Sequence, residues 1–133
     1  MVIDEHVRTY RTGGCFALAE ALRRITGFPV RCIDFGSCVH AFVVSPANEV
    51  LDIHGLTPWV QFLDFLVAER CLPPHAVEQG LVQHHAIAEL EDSLLWREQG
   101  YKRPSETAVR RARAVALKHP NLASHLADKS SAA

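Results

Sequence analysis

The spacing of apolar residues changes along this chain, and each change marks an element. Between Cys15 and Thr26, the residues Leu18, Ala21, Leu22 and Ile25 follow the i, i+3, i+4, i+7 rule of a single helical face. Gly13 and Gly14 break the chain before this run, and Gly27 stands where a helix ordinarily stops. The pattern predicts a helix of about three turns over residues 15–26. Residues 1–12 show no such period and read as an extended or loosely ordered lead-in.

After Gly27 the period shortens to two. In FPVRCIDF (28–35), Val30, Cys32 and Asp34 alternate with Arg31, Ile33 and Phe35. VHAFVV (39–44) is β-branched and aromatic, and EVLDIHG (49–55) is a shorter run of the same kind. SPAN (45–48) supplies turn chemistry between them. Three strands are expected, the second and third forming an antiparallel hairpin. The remainder is helical in tone. TPWVQFLDFLVAERC (57–71) offers Thr57 as N-cap and Pro58 at the first helical position, with Trp59, Phe62, Leu63 and Leu66 on one face. Leu72, Pro73 and Pro74 end it. In HHAIAELEDSLLWREQG (84–100), Ile87, Leu90, Leu94 and Leu95 keep helical spacing up to Gly100. PSETAVRRARAVALKHP (104–120) reads as a further helix, capped by Ser105 and stopped by Pro120, before a frayed tail at 128–133. The expected class is α+β: an N-terminal helix packed on a small antiparallel sheet, then a helical extension. Residues 1–56 would form the helix-plus-sheet core and residues 57–133 would pack on it in one compact domain.

The hairpin fixes a register. A turn through residues 46–48 pairs Ser45 with Glu49, which sets Phe42 opposite Asp52 and His40 opposite His54. Directly opposed residues point to one side of a sheet, so His40 and Asp52 become diagonal neighbours on one face, ~7–8 Å apart at Cα. Only a slip of a single residue would separate them. With the first helix covering that face, Asp52 would need a partner, and His40 is the obvious one.

Composition narrows the classes. The chain has 133 residues, 48% of them apolar, enough for one domain with a real core. Its net charge of −1 argues against nucleic acid and anionic membranes as partners. No apolar run approaches the ~20 residues that span a bilayer. The N-terminus carries early acids and no apolar stretch of the signal-peptide kind, so a cytoplasmic location is expected. The four cysteines, Cys15, Cys32, Cys38 and Cys71, form no CxxC pair and are expected as free thiols. No cofactor and no metal is implied. A rival metal site would have to use His84, His85 and a cysteine.

Three residues stand out by position: Cys15 at the head of a helix, His40 at the start of the second strand, Asp52 near the end of the third. Nucleophile, base and orienting carboxylate are the parts of a thiol hydrolase. A helix N-terminus favours a negative sulfur, and so does a neighbouring imidazolium. Gly13 and Gly14 would leave the approach to the sulfur open and let backbone N–H groups face an oxyanion.

The segments GGCFALAEAL, VHAFVV and EVLDIHG, within residues 12–55, resemble the papain-like superfamily and its transglutaminase-like core. There a Cys heads a helix, a His opens a strand and an Asp lies on the next strand. The resemblance implies acyl chemistry on amides through a thioester, with Cys15 as nucleophile, His40 as base and Asp52 holding the imidazole. Papain-type members place a Gln before the cysteine for the oxyanion hole. This chain has none there, so the Cys15 N–H would serve, helped by Gly14, Tyr10 or Thr12. The family's tryptophan next to the cysteine is here Phe16.

Each residue also has a plainer reading. Cys15 as a small core residue, His40 as a satisfied core histidine, Asp34 in place of Asp52, His54 as base or substrate contact and Cys38 as the thiol all stay open at this level. The basic face of residues 109–118 reads as solvated, and Trp59 and Trp96 read as core or rim anchors. Two functions compete. One is a thiol hydrolase or acyl transferase acting on a protein or peptide amide in a solvent-reachable cleft. The other is a catalytically silent interaction module, of the kind small bacterial and phage proteins supply, engaging a protein partner through its C-terminal helices.

Overall fold

Four strands form one antiparallel sheet in the order β1 (Val30–Asp34), β2 (Val39–Val44), β3 (Glu49–Asp52), β4 (Gly55–Pro58). The computed structural model describes residues 4–11, 14–34, 39–91, 96–97 and 102–126. The expectations placed on Thr12, Gly13, Cys38, Leu94, Leu95, Gly100 and the 128–133 tail lie outside the described residues. Helices α1 (Glu5–Arg11) and α2 (Cys15–Thr26) precede the sheet; α3 (Trp59–Ala68), α4 (Pro74–Glu78), α5 (Ile87–Glu91) and α6 (Glu106–Lys118) follow it. The class is α+β.

The helix read from apolar spacing at 15–26 is α2, residue for residue. Gly27 ends it in the left-handed conformation, at φ +78°, and returns its N–H to the Arg23 carbonyl at 2.8 Å. The Ser105 hydroxyl caps α6 by accepting the Ala108 N–H at 3.1 Å, and the helix closes at Lys118, just before His119 and Pro120.

The sheet lies between two helical layers. On one face, Val43 and Leu51 pack with Leu18 and Leu22 of α2 and with Val109, Ala112 and Ala116 of α6. On the other, Phe42, Val44 and Val50 pack with Phe62, Leu63 and Leu66 of α3. Fully burying side chains of this size contributes roughly 1.5–3 kcal/mol each, so both layers matter to stability.

Three sequence expectations are corrected. Residues 5–11 form α1 rather than a loose lead-in: the Asp4 carboxylate accepts the N–H groups of His6 and Val7, and Tyr10 is buried. The third strand stops at Asp52, and a two-residue turn of Ile53 and His54 adds β4, so Thr57 pairs with Val50 instead of capping a helix. Pro58, lacking an N–H, fits the end of this edge strand, and α3 starts one residue later. The boundary drawn after residue 56 therefore falls inside β4, and α6 packs directly on α2.

Candidate active site

The site is built from the point where β2 and β3 part. Their pairing runs Val44↔Val50 and Val43↔Leu51, the register the turn chemistry demanded, and goes no further. In β2 the N–H of Val44 points at Pro29 on the β1 side, and that of Ser45 points at Glu49 on the β3 side. Alternation along the strand then turns the Ala41 N–H toward β3. With β3 gone from that level, the Ala41 N–H donates to Cys15 Sγ at 3.4 Å. The sulfur thus lies in the direction β3 would have taken, delivered there by the first residue of α2.

His40 and Asp52 lie on the face covered by α3, not by α2 as the sequence suggested. His40 stacks on Phe62 at 6.2 Å between ring centroids, with planes 23° apart. His40 Nε2 is 3.1 Å from Asp52 Oδ2. The other carboxylate oxygen, Oδ1, accepts the His54 N–H at 3.0 Å, which locks the Ile53–His54 turn and aims the carboxylate. The Cys15 side chain also acts on the imidazole, favouring its charged form. Burial pushes the imidazole down, but its interactions with Asp52 and Cys15 outweigh burial and raise it to about 9. A ring hydrogen-bonded to a carboxylate, with a thiol that also favours its charged form, is an arrangement that can move a proton on and off sulfur.

The site is enclosed. Cys15 is 2% exposed and His40 6%, and Phe16, Ala19, Cys32, Val39, Ala41 and Trp96 pack around the sulfur. The open approach expected at Gly14 is absent: a Cβ there would stand 2.9 Å from the Thr9 carbonyl oxygen. The glycine serves close contact between α1 and α2, and its N–H donates to that same carbonyl at 2.9 Å. It is not free for an oxyanion. Cys15 itself heads α2, where N–H groups lack intrahelical acceptors.

Tyr10 is buried with Ala17, Leu18 and Val109 on the side of α2 that faces α6, whereas Cys15, Phe16 and Ala19 use the other side. Burial raises its phenol above the ordinary value. His54 rests on Phe65 at 5.1 Å and, with Asp52, Thr57 and Phe62, lines a cavity of about 110 Å³ at the carboxylate end of the site. Burial lowers its imidazole, and its Nε2 is buried without a hydrogen-bond partner among the described residues. Asp34 ends β1 and is exposed.

Other thiols and histidines are differently placed. Burial pushes Cys32 up to about 12. Arg31 Nε donates to His84 Nδ1 at 2.8 Å, and His85 joins Cys32 in an isolated β-bridge. Among the described residues no three His, Cys, Asp or Glu side chains gather as a metal would require. None of their helices is long and apolar enough to cross a membrane. The sequence reading missed Ala41, whose contribution is a backbone N–H and leaves no mark in residue type, and Phe62, which the helical spacing placed in a core rather than on His40.

Compared with known family models, curated proteins and solved structures, the chain matches none of them.

Proposed function

We propose that the protein is a thiol-dependent hydrolase or acyl transferase of papain-like character acting on an amide. The observation that carries the reading is the buried His40–Asp52 hydrogen bond with the Cys15 sulfur held on the N–H of Ala41, the residue after His40, the three drawn from a helix N-terminus and two strands. In the proposed cycle His40 already holds the proton given up by Cys15, and the sulfur attacks the amide carbon as a thiolate beside the imidazolium. The C–N bond breaks as His40 returns the proton to the departing amine. Water or an acceptor amine, deprotonated by His40, then cleaves the thioester and restores the thiol. Asp52 fixes the tautomer and orientation of the ring.

A second reading is favoured by the 2% exposure of Cys15: the series is a satisfied polar core within a silent interaction module. Alkylation rates separate the two. Iodoacetamide near neutral pH, with modified cysteines mapped by mass spectrometry, is expected to label Cys15 at least tenfold faster than Cys32, whose raised pKa keeps it a thiol. Asp52→Asn should slow Cys15 toward the Cys32 rate. Equal slow labelling of both in the native protein would favour the silent module.

A further inference from the structure

We infer that Asn121, beyond the end of α6, is a positioning residue for Asp52; its importance to chemistry rests on the function proposed above. Asp52 owes its direction to the Ile53–His54 turn, whose His54 N–H holds Oδ1. That turn is gripped from outside. Asn121 Nδ2 donates to the Ile53 carbonyl at 3.0 Å. The Asn121 backbone carbonyl presses on Gly55, where φ is +103° and a Cβ would stand 2.9 Å from that oxygen. The side-chain amide and the backbone of one residue thus hold both sides of a turn 66 to 68 positions earlier in the chain.

Asn121 is held in turn. Its N–H donates to His119 Nδ1 at 3.2 Å, and His119 Nε2 is 2.7 Å from Asp4 Oδ2. An N–H pointing into Nδ1 requires that nitrogen to be bare, so the His119 proton sits on Nε2 and is donated to Asp4. The other oxygen of Asp4 caps α1. The carbonyl of Thr9 in α1 accepts the N–H of Gly14, the residue before Cys15. The hydrogen bonds lead from the turn behind the carboxylate to the cap of α1, and α1 itself carries the connection on to the residue before the sulfur.

The test compares Asn121→Ala with Ser105→Ala, which removes the cap at the far end of α6 and leaves the Asp52 turn untouched. The first readout is the His40 titration midpoint by NMR; the second is the alkylation rate of Cys15. Asn121→Ala is expected to lower the His40 midpoint by about one pH unit, a tenfold loss of proton affinity, and to slow Cys15 alkylation about tenfold. Ser105→Ala should leave the midpoint in place. An unchanged midpoint in Asn121→Ala overturns the inference. Should that variant fold poorly, Asn121→Asp, of the same shape but without the N–H donor, is read the same way. A native protein whose Cys15 does not react would defeat the enzymatic reading alone, because the His40 midpoint still decides the role of Asn121.

Discussion

His40 shows how one side chain couples stability to pH. An ordinary imidazole titrates at 6.5; this one is raised to about 9, so the fold favours its protonated form. Its contribution is complete below pH 6.5 and is lost as pH climbs through about 9. The full effect is up to about 3 kcal/mol. Urea unfolding midpoints measured at successive pH values should therefore fall across that window, and Asp52→Asn should flatten the fall. Of this pair the sequence reveals the partners, because strand alternation across the turn at residues 46–48 keeps them on one face unless the register slips by a single residue. It does not reveal the third contact. Cys15 comes to the Ala41 N–H, next to His40, where β3 has already ended, and that end depends on a turn that EVLDIHG does not announce.

Helices reveal themselves unevenly. The apolar period of α2 and the Ser105 cap of α6 are local signals that the structure bears out. α1 has only seven residues, too few for a period to emerge, and it depends on a partner 115 positions away, since Asp4 binds His119. The capping aspartate was its one local mark. Its junction with α2 is tight enough to test. Gly14→Ala places a methyl group 2.9 Å from the Thr9 carbonyl, which belongs to the backbone of α1, and 3.0 Å from the buried Tyr10 ring. A loss of about 1–3 kcal/mol is expected in denaturant unfolding, larger than the ~1 kcal/mol for removing the α6 cap in Ser105→Ala.

Across the molecule, the main core is shared by the two ends of the chain. Leu18 and Leu22 meet Val109, Ala112, Ala116, Leu122 and Leu126 in one cluster, and β4 continues to Pro58. A fragment of residues 1–56 would expose that cluster and cut a strand, so it should show no cooperative thermal transition by circular dichroism, while the full chain melts in a single step. Composition made a core affordable; it could not say that its far wall would arrive some ninety residues later. The parting of β2 from β3 has a further consequence. In a continuous sheet the Ala41 amide would meet a carbonyl oxygen, and here a sulfur atom stands in for the missing strand. A side-chain acceptor at position 15 therefore serves the architecture before any reaction is considered. Trading it for alanine would strand a buried donor at a penalty of about 1–3 kcal/mol. Serine, which keeps an acceptor there, is the replacement that isolates the chemistry of the sulfur from its service as a surrogate carbonyl.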